Sequence, residues 1–174
     1  MSGLEIFGLI AGIISIADTI IRAYDSIKDL PRLPKAFHTV GKHLPLIEKT
    51  LQGAKDHAID PMNVEGDDPE ALKVLVDDCH KRIGQLKDIF LKISESKDKP
   101  VVSTYRMLVL KMGKKGRVES LMGDILKDVT TLTCHRVFQT ATQHQVEELT
   151  NAMKEMAQIE PSLSDSDFEE RTAS

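Results

Sequence analysis

The stretch GLIAGIISIADTIIRA, residues 8–23, decides the fold of this chain. It is the most apolar part of the sequence, and it carries two glycines four residues apart, Gly8 and Gly12. Because each glycine costs about 1 kcal/mol against alanine in a helix interior, a helix here needs a compensating interaction. Close approach of a second helix, of lipid, or of both to the glycines would provide it.

On a helical wheel the first predicted helix, which contains this stretch, has an apolar half and a half of small residues. The apolar half contains Ile6, Leu9, Ile10, Ile13, Ile14, Ile16, Ala17, Ile20, Ile21 and Tyr24. The other half contains Gly8, Ala11, Gly12, Ser15, Asp18, Thr19, Arg22 and Ala23. A surface helix usually carries several Glu and Lys residues there. We therefore predict Gly8, Gly12 and Ser15 as positions at which a partner packs closely.

The apolar part of this helix is short for a membrane span. It covers about 16 residues, roughly 24 Å, against the ~30 Å hydrocarbon core of a bilayer. We therefore expect no constitutive transmembrane helix, and conditional insertion stays open. The alternative is a central helix of a soluble bundle with one tightly packed neighbour.

The rest of the chain carries helix signals and no strand-like alternation. Ser2 and Glu5 form a capping box ahead of the first helix, and Pro31 and Pro34 stop it. In the later segments apolar residues recur every three or four positions. The predicted helices cover approximately residues 3–29, 34–55, 69–94, 101–110 and 118–156, with QTATQHQ at 139–145 as an undecided break in the last one.

These signals predict an all-α fold, an antiparallel helical bundle of about five helices over residues 1–158. Aromatic residues make up only 4% of the chain and Trp is absent, so the core should be aliphatic. From residue 159 to 174 the chain is acidic, rich in serine and poor in apolar residues. Such a composition predicts an acidic disordered tail or the start of a linker.

Charge and cysteine content narrow the function classes. The net charge of −4 argues against a dedicated nucleic-acid binder. Two cysteines, Cys79 and Cys134, are too few for a disulfide framework, and we expect both to be reduced and buried. None of the first five residues is Lys or Arg, so no secretory signal is expected. We therefore expect a cytoplasmic protein.

The sequence offers no catalytic, cofactor or metal motif. It lacks G-x-x-x-x-G-K-[ST], H-E-x-x-H and G-x-S-x-G. The pairs Cys79-His80 and Cys134-His135 contain four ligand types, but adjacent helical residues point about 100° apart and cannot easily share one ion. We predict no catalytic residues, no cofactor and no metal, and hence no enzyme.

A basic segment follows the third predicted helix. Its basic residues are Lys97, Lys99, Arg106, Lys111, Lys114, Lys115 and Arg117, against the single acid Asp98. Basic residues near a membrane surface favour anionic head groups by up to about 1 kcal/mol each. We predict anionic-lipid contact for these seven residues, with a solvated loop as the alternative.

The opening MSGLEIFGLIAGIISIADTIIRAYDSIKDLPRLPKAFHTVGKHLPLIEKTL resembles the SesA class, the N-terminal domain attached to fungal NACHT-type NTPases. That class is similar to the HeLo and HeLo-like cell-death domains, which implies a HeLo-like four-helix-bundle core. The resemblance further implies a cell-death effector domain of a fungal NLR-like (NACHT/STAND) immune or incompatibility system. Implied partners are a NACHT/STAND NTPase receptor in cis or trans, further copies of the chain, and anionic membrane lipids.

In HeLo-type proteins the N-terminal hydrophobic helix is the membrane-active element. Carried over to this chain, the insertion role falls on Leu4, Ile6, Leu9, Ile10, Ile13, Ile14, Ile16 and Ile20. The protein would then move from the cytoplasm to a membrane on activation. The alternative function is a non-lytic helical adaptor that only oligomerises or recruits partners.

Overall fold

The computed structural model describes residues 3–57, 69–135 and 143–168. Within these ranges there is no strand, which confirms the all-α prediction. A helical turn at residues 165–168 follows the last long helix. The longer elements are α1 (Gly3–Ile27), α2 (Lys35–His57), α3 (Pro69–Glu95), α4 (Val101–Met112), a 3₁₀ turn (Lys114–Gly116), α5 (Val118–Thr133) and α6 (Gln143–Gln158).

Most helix ends lie within about two residues of their predicted positions. α1 ends before Pro31, and the connection to α2 contains Arg32 with a positive φ of 63°. α4 ends at Met112 and is followed by Gly113, whose φ of 86° suits glycine and whose N–H donates to the Val109 carbonyl at 2.9 Å. Ser2, the predicted cap of α1, lies outside the described residues.

The last predicted helix, in which QTATQHQ was an undecided break, is divided into two helices. α5 ends at Thr133, and α6 begins at Gln143. The last turns of α5 are rich in threonine, whose hydroxyls bond back to carbonyls of the preceding turn and whose branched side chains favour the helix less. Thr130 Oγ1 donates to the Leu126 carbonyl at 2.8 Å, and Thr131 Oγ1 donates to the Lys127 carbonyl at 3.0 Å.

The helices pack into a bundle in which α1 is an outer helix. α1 packs on α2 and α3, while α2 and α3 in turn pack on α5. α6 covers α5 and part of α2, and α4 packs beside α3. This arrangement confirms the predicted helical bundle.

The core is mainly aliphatic, as predicted, with a small aromatic cluster at one end. The Phe37 ring lies 5.0 Å from the rings of both Phe90 and Tyr105, in edge or tilted geometries that favour aromatic contact. Burial raises the pKa of Tyr105, so its hydroxyl keeps its proton. The cluster thereby joins α2, α3 and α4.

Two expectations need correction. Cys79 is buried as expected, which raises its thiol pKa to about 12, but Cys134 at the end of α5 is exposed. The expected disordered tail is packed on the bundle as far as Phe168, with Leu163 only 6% exposed. Residues 169–174 lie outside the described part of the chain.

Candidate functional site

α1 turns one face of its apolar half into the core. Of the predicted insertion residues, Ile6, Ile10, Ile13 and Ile20 are fully buried. The others with described side chains, Leu9, Ile14 and Ile16, are partly buried and pack against the core. Nothing is described of the Leu4 side chain. In this state four of the residues proposed to enter a membrane are therefore core residues of the bundle.

The outward face of α1 is made of small residues. Gly8 and Ser15 are exposed, and a Cβ added at Gly8 would meet nothing within 4 Å. A Cβ at Gly12 would lie 3.2 Å from Nε2 of His80, the end of one α3 side chain. The soluble-bundle alternative predicts a neighbour packed tightly against the glycines. Among the described residues, no such neighbour contacts Gly8.

The outward face also lacks charge over a long distance. No Asp, Glu, Lys or Arg occurs from Ile6 to Ala17. By length and composition, Glu5–Ile27 could cross a membrane, with a mean hydropathy of 1.8 and 33% of its apolar part buried. The observed helix is longer than the apolar run considered in the sequence. Core helices and signal sequences meet the same criterion, so it does not by itself choose between insertion and packing.

The two ends of α1 are attached differently. At the second half, Tyr24 donates to or accepts from His38 Nδ1 at 2.7 Å, and Ser26 bonds Ser94 at 2.9 Å. The Tyr24 ring also lies against Gly41, where an added Cβ would come within 2.6 Å of it. At the first half, the exposed pair Glu5–Lys73 links α1 to α3 at 3.7 Å. Apolar burial is thus the main force on the first half.

One group weakens the contact between α1 and α2. Among the described side chains, Glu48 Oε1 is buried without a hydrogen-bond partner. Burial, and then the nearby carboxylate of Asp18, raise the pKa of Glu48, while Arg22 opposes the shift. A carboxylate that loses water without gaining a donor destabilises the folded state.

The seven predicted lipid-contact residues are spread along α4 and beyond both of its ends. Lys97 and Lys99 precede α4, whereas the last four basic residues lie at or after its C-terminal turn. Because twelve helical residues extend about 18 Å, the segment is a stripe rather than one cluster. The exposed members are Lys97, Lys99, Lys111, Lys114 and Lys115, and the partly buried ones are Arg106 and Arg117.

The C-terminal segment lies on the second half of this stripe. We call residues 162–168 the acidic strap. Asp165 pairs with Arg117 at 3.1 Å and with Lys114 at 3.8 Å, and Asp167 pairs with Arg106 at 3.4 Å. Sequence reasoning missed this contact, although the alternating acids of SDSD opposite a basic segment are the signal that could have indicated it.

α4 also exposes apolar side chains, which the sequence analysis did not single out. Val102 is 44% exposed, Met107 53% and Met112 38%. Basic residues of the same helix lie among them, Arg106 and Lys111. Exposed apolar residues beside basic ones are typical of helices that lie in a membrane interface.

Among the described residues, no group of three or more His, Cys, Asp and Glu side chains could hold a metal ion. The two cysteines are both free, one buried and one exposed. The candidate site consists of an apolar outer helix, α1, and a basic stripe that is covered in part by acidic residues.

Residues 10–132 match the SesA family, described as the N-terminal domain on NACHT NTPases and P-loop NTPases. The match covers α1 from Ile10, all of α2, α3 and α4, and most of α5. No curated protein and no solved structure matches the chain.

Proposed function

Because the chain belongs to the SesA family, we propose that it is the effector domain of a NACHT-type NTPase system, and that it oligomerises and inserts α1 into a membrane. The observation that carries the proposal is the uncharged face of α1, from Ile6 to Ala17, on the outside of the bundle. A face of this kind is unusual for a helix that remains in water. It suits contact with lipid or with another helix.

Release of α1 needs a trigger. Full burial of an isoleucine contributes about 1.5–3 kcal/mol, and four predicted insertion residues are fully buried. Their combined contribution is comparable with the 5–15 kcal/mol stability of a whole domain. The isolated bundle therefore keeps α1 in place, and an activated NTPase or self-association supplies the missing free energy. A bilayer interior then replaces the lost apolar contacts.

The basic stripe brings the released helix to an anionic membrane. Lys97, Lys99, Lys111 and Lys115 are exposed and available for head groups. The apolar side chains of Val102 and Met107 on α4 lie ready to enter the interface beside them. In this account the protein is cytoplasmic at rest and membrane-bound when active, and it uses no catalytic group.

A second candidate function is a non-lytic adaptor that recruits helices. The open space over Gly8 and the exposed Ser15 favour it, because small residues allow a second helix to approach closely. The two functions differ in one property, since an adaptor leaves membranes intact.

Dye release from vesicles separates the two functions. The chain, concentrated until it self-associates, is added to phosphatidylcholine vesicles with and without phosphatidylserine, as wild type and as Gly8→Glu. The substitution fits the folded bundle, since the site is open, but it places a charge in the apolar part of the inserted helix. A charge costs about 2.5–3.5 kcal/mol at the centre of such a helix and less toward its ends. The proposal predicts leakage from anionic vesicles that Gly8→Glu reduces roughly fivefold or more.

The matched control is Gly84→Glu in α3, which also introduces a glutamate where an added Cβ would meet nothing within 4 Å. It should leak dye like the wild type. Intact vesicles in the presence of oligomeric, folded wild type would contradict insertion and support the adaptor.

A further inference from the structure

The acidic strap is built into the bundle rather than laid loosely over it. The Ser162 amide donates to Glu119 Oε2 at 2.6 Å, and the Ser162 hydroxyl bonds the Glu119 carboxylate and the buried Tyr105 hydroxyl. The next residue, Leu163, is 6% exposed and belongs to the core. The start of the strap is therefore fixed by an apolar anchor and a hydrogen-bond network.

The strap is also shaped for the surface it covers. The Ser164 amide and hydroxyl both donate to Asp167 Oδ2, at 3.2 and 3.0 Å, which closes a helical turn at 165–168. This turn sets Asp165 and Asp167 toward the basic stripe and leaves Phe168 over the guanidinium of Arg117, 5.6 Å from carbon to ring centroid. Such cation–π contact adds to the charge pairing.

Arg117 is the basic residue that the strap occupies most fully. Its Nη1 donates to the Leu163 carbonyl at 2.9 Å and to Asp165 at 3.1 Å, while its Nε donates to the Lys114 carbonyl at 3.2 Å. Its side chain is only 16% exposed, against 42% for Arg106 and 51% for Lys114. An anionic head group therefore cannot reach Arg117 while the strap is in place.

We propose that the acidic strap is an intramolecular competitor of anionic lipid, and that it must leave Arg106, Lys114 and Arg117 before these residues bind phosphatidylserine head groups. This inference rests on the proposed lipid contact of the basic stripe. The carboxylates of the strap contact the same basic side chains that the anionic head groups contact after the strap is released. The strap lies C-terminal to the matched SesA region. A conformational change in an NTPase attached C-terminal to the strap would therefore act on the strap.

Co-sedimentation with vesicles of phosphatidylcholine and phosphatidylserine tests the competition. Two variants release the strap by different means: the pair Asp165→Asn and Asp167→Asn removes its charges, and Leu163→Ala removes its anchor without any charge change. Each should bind these vesicles roughly tenfold or more tightly than the wild type, because several basic residues become available together. Binding to pure phosphatidylcholine should stay unchanged.

The control pair Asp88→Asn and Glu95→Gln changes the net charge by the same amount on exposed positions of α3. It should bind less tightly than the strap variants. Trypsin cleavage after Arg117 gives an independent measure of strap release and should accelerate in both strap variants. Circular dichroism melting verifies that the bundle remains folded.

If trypsin cleavage after Arg117 is accelerated in the strap variants but they bind anionic vesicles no more tightly than the wild type, the competition is overturned. The proposed lipid contact of the basic stripe would then still stand. No binding by any released variant would overturn both the competition and the lipid contact of the stripe. Insertion of α1 is judged separately, from dye release by Gly8→Glu and Gly84→Glu.

Discussion

α1 and the acidic strap each keep residues that we assign to membrane contact out of reach of lipid: α1 buries its own isoleucines, and the strap covers part of the basic stripe. Different forces hold the two elements in place. α1 is held by buried isoleucines, with few polar contacts along its first half. The strap is held by carboxylates on basic residues and by the network around Ser162, with Leu163 as its apolar anchor. Charge pairs near the surface are worth little individually and are screened by salt. The strap should therefore open before α1.

The largest effect should come from the buried face of α1. Ile13→Ala removes a fully buried side chain and should lower the free energy of unfolding by about 2–5 kcal/mol, measured by urea denaturation. Ile16→Ala, at a partly buried position of the same helix, should cost clearly less. Equal losses at the two positions would contradict the two-faced description of α1.

The contact of Tyr24 with Gly41 should come next. Gly41→Ala places a Cβ 2.6 Å from the Tyr24 ring, so the ring must move and its bond to His38 is strained. We expect a loss of about 1–3 kcal/mol in the free energy of unfolding. An unchanged or higher stability would show that the second half of α1 is not anchored as described.

Strap docking should depend on the hydroxyl of Tyr105. Tyr105→Phe removes the acceptor of the Val118 amide, which donates to it at 3.0 Å, and one partner of Ser162. The expected loss is about 1–2 kcal/mol, because a buried amide is left without an acceptor. Hydrogen exchange at Val118 and Ser162 should accelerate in this variant, while exchange in the middle of α1 stays slow. Acceleration throughout α1 would mean that the two surfaces open together.

The open face of α1 should tolerate and even favour a methyl group. Gly8→Ala meets nothing within 4 Å and should raise the free energy of unfolding by about 0.5–1 kcal/mol through helix propensity. Gly12→Ala should gain less, because its Cβ lies 3.2 Å from His80. A loss of stability at Gly8 would indicate a neighbour on that face.

The smallest effect should be a pH-dependent one at Glu48. Its pKa is raised in the folded state, mainly by burial, so ionisation opposes folding above the folded pKa and has no effect below the unfolded pKa. Glu48→Gln should therefore stabilise the protein at pH 7, by less than about 1 kcal/mol. The difference from wild type should vanish as the pH falls below about 4. A gain that persists in acid would require another cause.

The apolar pattern of the sequence was enough to predict the all-α bundle. Most helix ends could be predicted as well, because proline and glycine residues mark them. The pattern left a break at residues 139–145 undecided and did not predict that α5 ends already at Thr133, where threonine hydroxyls compete for the backbone. The docked strap was missed because a composition poor in apolar residues reads as disorder. One leucine, two aspartates opposite a basic stripe and the hydrogen bonds of Ser162 hold it, and only the fold brings Leu163 and Asp165 to Arg117.

The same difference applies to the candidate site. The wheel identified the apolar and small faces of α1, since these depend only on helical periodicity. Which face is turned inward depends on α2 and α3, so the burial of Ile6 and the open space over Gly8 required the structure. Likewise, the sequence shows that the segment has seven basic residues, but it does not show that Arg117 already pairs with Asp165 and the Leu163 carbonyl of the acidic strap.

The central claim is that the uncharged face of α1 enters lipid. A fluorescent label at Ser15→Cys, in a Cys134→Ser background that leaves only the buried Cys79 thiol, reports its environment directly. With the protein oligomeric and bound to phosphatidylserine vesicles, the account predicts a blue-shifted emission and protection from an aqueous quencher. A label that stays in water while the protein is bound and oligomeric would contradict insertion.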